Sequence, residues 1–81
     1  MKLRVYVTLK PGVLDPQGRA VMNSLHALDF DSVQQVRQGK YLEIDVDGSL
    51  SGEELEKQAD EMCRKLLANT VIENYRFELA D

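Results

Sequence analysis

The sequence predicts a small α+β domain with the element order β-α-β-β-α-β. Three patterns carry this prediction: strict apolar–polar alternation near the start, an Asp-Pro helix start after it, and a second helix opened by a capping box. The 81 residues are predicted to form a single domain, residues 1–81. A domain of this size buries only about 60–65% of its extended surface, so its stability margin is small and self-association is expected.

The first strand and the first helix follow from local chemistry. Residues 2–10 alternate apolar with polar side chains, as a strand buried on one face requires. The Pro-Gly pair that follows ends the strand. Asp15 can accept hydrogen bonds from the free N–H groups of a helix start, and Pro16 supplies a preset φ where no N–H is needed. The helix is expected to end near residues 28–29.

The remaining elements are two middle strands, a second helix and a last strand. Residues 33–38 and 40–47 are predicted to form a hairpin joined around Gly39. The first of these strands has a broken apolar period, so we expect a bulge or an edge position there. A Ser-Gly-Glu-Glu capping box at residues 51–54 opens the second helix. Residues 71–79 alternate again and form the last strand.

Two interleaved right-handed β-α-β units give a two-layer sandwich of the ferredoxin-like type. Its antiparallel four-stranded sheet would carry both helices on one face. The other face would present tyrosines among charged residues, a composition that suits either solvent or a contact surface. We therefore identify Tyr6, Thr8 and Tyr41 as a self-association face.

The composition argues against several classes of function. A formal net charge of -4 disfavours nucleic-acid binding, which needs Lys and Arg clustered against phosphates. The sequence has no run of about 18 apolar residues, so no membrane span is expected, and its alternating start is unlike a signal peptide. The single cysteine, Cys63, cannot form an internal disulfide, which agrees with a cytoplasmic location.

No catalytic, metal-binding or cofactor-binding constellation is recognisable. Only His26 and Cys63 offer nitrogen or sulfur ligands, too few for a metal site. Cys63 is expected to be a buried thiol and His26 a surface residue. Glycines before the first helix could mark a phosphate cradle. Their spacing fits neither a P-loop nor a dinucleotide fingerprint, and Asp15 would put a negative charge at the anion position, so a structural turn is favoured.

One block resembles a known family. Residues 5–18, Val-Tyr-Val-Thr-Leu-Lys-Pro-Gly-Val-Leu-Asp-Pro-Gln-Gly, closely resemble the start of PurS, the small subunit of bacterial and archaeal phosphoribosylformylglycinamidine (FGAM) synthase. The resemblance continues through residues 20–21, Leu25 and Leu28, then residues 36–37 and 39–41, and it closes with Cys63 and residues 66–69 and 71–75. It covers essentially the whole chain, with one departure at Thr70, where relatives often carry proline. It implies membership of a glutamine-dependent C–N ligase complex that converts formylglycinamide ribonucleotide (FGAR) to FGAM in de novo purine biosynthesis.

In such systems a large synthetase subunit uses ATP and magnesium, and a glutaminase subunit releases ammonia. The resemblance implies that the small subunit is not catalytic, binds no cofactor, bridges the other two and self-associates as a dimer or tetramer. The residues that we expect to contact the partners are Lys10, Pro11, Gly12, Asp15, Pro16, Arg19, Arg37, Gly39 and Lys40. Turn geometry alone also accounts for the prolines and glycines among them.

Two other interpretations stay open from the sequence. The chain could be a small-molecule-binding regulatory α+β module that acts as a homodimer, and the isolated protein would then bind a metabolite saturably. A free-standing enzyme would instead show turnover by the purified chain.

Overall fold

The computed structural model describes residues 1–80, which form a three-stranded antiparallel sheet and two α-helices. The strands are β1 (Lys2–Leu9), β2 (Gly39–Asp45) and β3 (Glu73–Ala80). The helices are α1 (Pro16–Ala27) and α2 (Gly52–Met62), and a single π-helical turn, Cys63–Leu67, continues α2. The predicted α+β class is confirmed. No helix in this part of the chain is long and apolar enough to cross a bilayer.

β1 is the central strand, with the order β2-β1-β3 and antiparallel pairing on both sides. Leu3, Val5 and Val7 are fully buried on one face of it, because a strand directs alternate side chains to opposite faces. The register sets Tyr6 opposite Tyr41 of β2 on the other face. The alternation of residues 2–10 therefore predicted both faces of β1 correctly.

The core lies between that buried face and α2. Leu55 and Ala59 of α2 are buried, and Cys63 of the π-helical turn lies in the same core as β1. The predicted N-cap at Ser51 is confirmed, since the Ser51 hydroxyl accepts a hydrogen bond from the Glu54 N–H at 3.2 Å. Apolar side chains at helical spacing thus bury one face of α2 against the sheet.

The predicted four-stranded sheet is wrong, because residues 33–38 form no strand. Val33 and Val36 are the apolar residues of that segment and stand out of strand period, so no single face could be buried. The segment instead runs back along α1, and the His26 ring bonds the Val33 carbonyl oxygen at 2.7 Å. The predicted hairpin around Gly39 is wrong as well, because Gly39 is the first residue of β2.

The prediction that both helices cover one face of the sheet is wrong for α1. Its only buried residue is Gly18, and no residue of α1 belongs to the core. We call residues 16–38, α1 with its returning segment, the arm. The radius of gyration is 16.2 Å, whereas a compact domain of this length has about 12 Å. The arm therefore projects from the sheet instead of packing on it.

Candidate functional site

The turn at the base of the arm is held by Asp15, which caps α1. One carboxylate oxygen accepts the Gly18 N–H at 2.8 Å, and the other accepts the Gln38 N–H at 2.8 Å. Asp15 is buried, with 8% of its surface exposed. The Gln38 and Gly18 N–H groups hold the pKa of Asp15 below its usual range, and the nearby positive charge of Arg37 acts in the same direction.

Arg37 holds the same turn from the other side. Its guanidinium donates to the carbonyl oxygen of Val13 at 3.0 Å and to that of Lys10 at 3.0 Å. A third bond reaches the carbonyl oxygen of Leu9 at 3.3 Å. The planar guanidinium has five donors in a fixed arrangement, so one side chain can satisfy several carbonyl oxygens that have left the sheet.

Two glycines make this geometry accessible. Gly12 adopts a φ of +88°, a backbone conformation that residues with a Cβ rarely adopt. Gly18 lies against the returning segment, and a Cβ there would overlap the Val36 carbonyl oxygen. The turn and the first turn of α1 are therefore fixed by close backbone contact as well as by hydrogen bonds.

A shallow cleft of about 450 Å³ lies between the turn and the returning segment. Arg19 and Met22 form its helical wall, and Gln35 and Val36 form part of the opposite wall. Both oxygens of Asp15 already accept N–H donors, so the helix start is occupied by its own carboxylate and leaves no position for a phosphate. Within residues 1–80 no three His, Cys, Asp or Glu side chains are placed to hold a metal ion.

The structure brings together most of the predicted partner-contact residues, although nothing in it tests that role. Those at the base of the arm are Lys10, Pro11, Gly12, Asp15, Pro16, Arg19 and Arg37. Gly39 directly follows the returning segment and is the first residue of β2. Lys40 points elsewhere, with its ammonium bonded to the Leu67 carbonyl oxygen at 3.3 Å.

The predicted self-association face is a network of aromatic and charged side chains on the open side of the sheet. The Tyr6 and Tyr41 rings lie with centroids 5.0 Å apart, and the Arg76 guanidinium stacks 3.8 Å from the centroid of Tyr6. The Tyr6 hydroxyl donates to Glu78 at 2.9 Å. That bond raises the pKa of Tyr6. Thr8 lies exposed beside this group on β1.

Sequence analysis expected charged residues among the tyrosines of this face, but it did not predict how they pair. Glu43 accepts from the Tyr41 hydroxyl at 3.0 Å and pairs with the Lys2 ammonium at 2.9 Å. Arg4 lies 3.6 Å from Glu78 across the other strand pair. The signal that could have identified the cross-strand pairs is strand register, because Arg4 lies directly opposite Glu78 and Lys2 lies diagonally across from Glu43.

Cys63 and His26, the two residues considered as metal ligands, both have structural roles instead. Burial raises the pKa of the Cys63 thiol, and the negative charge of Asp60 adds to that shift, so thiolate chemistry is suppressed. Asp60 itself accepts a hydrogen bond from the Tyr75 hydroxyl at 2.6 Å. The His26 ring holds the returning segment of the arm, as described above.

Comparison with known proteins gives a consistent result. The family profile PurS, described as phosphoribosylformylglycinamidine (FGAM) synthase, matches residues 2–81. The curated subunit PurS of Bacillus subtilis is 51% identical over 80 residues, covering 99% of this chain and 93% of that protein. The corresponding subunit of Methanocaldococcus jannaschii is 38% identical over 78 residues, covering 96% and 93%.

Solved structures agree with the sequence relatives. The structure of Bacillus subtilis PurS superposes with a TM-score of 0.86 at 51% identity, covering 99% of this chain and 98% of that one. A chain in the structure of PurLQS from Thermotoga maritima superposes with a TM-score of 0.84 at 26% identity, covering 95% and 93%.

Proposed function

The chain belongs to the PurS family of phosphoribosylformylglycinamidine (FGAM) synthase, and we propose that it is the non-catalytic subunit that bridges the synthetase and glutaminase subunits. The reaction served is the ATP- and glutamine-dependent conversion of FGAR to FGAM in purine biosynthesis. In this proposal the large subunit binds ATP and magnesium, and this chain binds no cofactor. The match to a chain of a PurLQS structure supports a place in such a complex.

One observation supports the bridging role: the turn at the base of the arm is rigid, and cationic side chains lie beside it. Asp15 and Arg37 are committed to backbone groups of the turn and of the arm. Lys10 and Arg19 form no ion pair with any other of residues 1–80. A preorganised surface loses little conformational entropy on docking, and free cations can pair with acidic groups of a partner.

Self-association forms part of the proposal. The open sheet face with Tyr6, Thr8 and Tyr41 is one contact surface, and its tyrosines and stacked Arg76 are residue types enriched at interfaces. A dimer or tetramer would present several copies of the turn at the base of the arm to the larger subunits. The buried thiol of Cys63 fits the cytoplasmic location that we propose for the complex.

A small-molecule-binding regulatory module is the second candidate. The cleft beside Arg19, of about 450 Å³, falls within the size range of ligand sites. Titration calorimetry of the isolated chain with purine-pathway nucleotides and with glutamine separates the candidates. The bridging role predicts no saturable binding.

Size-exclusion chromatography of the three purified proteins tests the bridging role directly. We expect this chain, the synthetase and the glutaminase to co-elute together, with weaker or no association of the two large subunits when it is omitted. Arg19→Glu should reduce co-elution, whereas Lys57→Glu, an equal charge change on exposed α2, should not. Co-elution of the two large subunits regardless of this chain would contradict the role.

A further inference from the structure

Two clefts lie on either side of the returning segment of the arm. The first is the cleft beside Arg19 described above, between the turn and α1. The second lies between the turn and the start of β3 and has a volume of about 440 Å³. Its own lining residues include Thr8, Pro11 and Asn74. The residues that line both clefts are Gly12, Gln35 and Arg37. Gln35 therefore lies on the ridge that divides them.

This ridge, residues 34–36, has no regular secondary structure but is held in place on both sides. Arg37, the next residue, bonds carbonyl oxygens of the turn, and the Gln38 N–H donates to Asp15. On the side of α1 the Val36 carbonyl oxygen lies against Gly18. The backbone at the ridge is thereby fixed, whereas the side chain of Gln35 is exposed to solvent.

The first cleft carries one uncommitted charge. Asp15 accepts two N–H groups, and the Arg37 guanidinium donates to three carbonyl oxygens, so both are directed into the fold. The Arg19 guanidinium has no ion-pair partner among residues 1–80. Leu14, which is 72% exposed, and Met22 add apolar surface to this cleft. The combination fits a carboxylate that has an apolar neighbour.

The second cleft is neutral in its uncommitted groups. It offers the Thr8 hydroxyl and the Asn74 amide, and the Gln35 amide lies at its edge. None of these three side chains forms a hydrogen bond with another of residues 1–80. An amide side chain offers a donor and an acceptor together, which is what a peptide group needs.

An extended segment of another protein matches two neighbouring clefts of this kind. Side chains two positions apart in an extended chain point the same way and lie about 6.5–7 Å apart. Peptide groups lie between them, where the ridge would meet the segment. A small molecule fits less well, because ligand sites bury most of the ligand surface and these clefts are shallow.

We propose that Gln35 is the centre of a docking site for an extended acidic segment of one of the larger subunits. An Asp or Glu side chain of that segment pairs with Arg19, and the Gln35 amide bonds a peptide group. A neutral side chain two positions away occupies the cleft of Thr8 and Asn74. The net charge of -4 would favour basic partners, so local pairing selects this segment. The docking site rests on the bridging role proposed above and gives one of its contacts a chemistry.

Titration calorimetry of the full chain with each larger subunit tests the site. Gln35→Ala should weaken binding to one of them at least about fivefold at low and high ionic strength alike, because a neutral hydrogen bond is lost. Arg19→Gln should weaken binding to the same subunit at least about tenfold at low ionic strength and less at high, because salt screens an ion pair. Asn23→Ala removes an exposed amide of α1 outside both clefts and should change neither affinity.

Hydrogen exchange of the subunit that responds locates the segment. The wild-type chain should protect one segment that contains Asp or Glu. Changing that acid to its amide should weaken binding to the wild type but cost nothing further with Arg19→Gln, because the two groups form one pair. Additive losses, or an unchanged affinity of Gln35→Ala for both subunits, would overturn the docking site. If the wild type still joins the three-protein complex, the bridging role stands without it. A wild type that binds neither subunit would overturn both.

Discussion

Asp15 and Arg37 hold the same turn, Asp15 as a hydrogen-bond acceptor and Arg37 as a hydrogen-bond donor. Asp15 accepts N–H groups from both ends of the arm, at Gly18 and Gln38. Arg37 donates to carbonyl oxygens of the turn itself, including that of Val13. Residues far apart in sequence thus fix where β1 ends, where α1 starts and where the chain returns to β2.

The first prediction concerns the carboxylate of Asp15. Asp15→Ala removes the acceptor of two backbone N–H groups and should lower the Tm by at least about 5 °C. Glu56→Gln on the exposed side of α2 is the control and should change the Tm little. Thermal unfolding followed by circular dichroism measures both. Equal Tm values for the two variants would show that the cap does not stabilise the arm.

The second prediction is the pH dependence of that contribution. The pKa of Asp15 is lowered by folding, from an unfolded value of about 3.9. Its contribution to stability is therefore complete above the unfolded pKa and is lost as the pH falls through the folded pKa. Urea unfolding from pH 6 downward should show a smaller acid loss for Asp15→Asn than for the wild type. Parallel curves would contradict the assignment.

The third prediction concerns two glycines at helix starts. Glycine-to-alanine changes within helices usually stabilise by up to about 1 kcal/mol. Gly18→Ala should instead destabilise by about 1–3 kcal/mol, because its Cβ would overlap the Val36 carbonyl oxygen. Gly52→Ala meets nothing within 4 Å and should be neutral or stabilising. Urea unfolding of both variants compares the signs directly, and a stable Gly18→Ala variant would rule out the close contact.

The fourth prediction concerns the three tyrosines of the chain. Hydrogen bonds to Glu78 and Asp60 raise the pKa of Tyr6 and Tyr75, and desolvation followed by a bond to Glu43 raises that of Tyr41. All three should ionise above the ordinary value of about 10 in an absorbance titration of tyrosinate. Glu78→Gln should lower the pKa of one tyrosine only. A single wild-type transition at the ordinary value would contradict these bonds.

Local chemistry predicted much of this fold. Alternation identified the two faces of β1, and Asp15 and Ser51 identified both helix starts, because each depends on residues a few positions apart. The failed strand at residues 33–38 has, besides its broken apolar period, a non-local cause: the Asp15 carboxylate accepts the N–H of Gln38. No periodic pattern contains that contact.

The packing of α1 shows a second limit. Helical spacing identified its apolar face, which includes Val21 and Leu28, but spacing does not say what surface covers that face. The expectation that it packs on its own sheet assumed a compact monomer. The partner contact predicted for Arg37 stays a prediction; in the structure its guanidinium bonds carbonyl oxygens of the turn, so it positions the candidate surface.

The fifth prediction tests the central claim, that this chain is a bridging subunit without chemistry of its own. The measurement is the steady-state rate of glutamine-dependent FGAM formation by the synthetase and glutaminase, with and without this chain. We expect the rate to fall at least about tenfold when the chain is omitted, since ammonia transfer depends on positioning. The rate with ammonia supplied in place of glutamine should fall much less. An unchanged glutamine-dependent rate on omission would contradict the account.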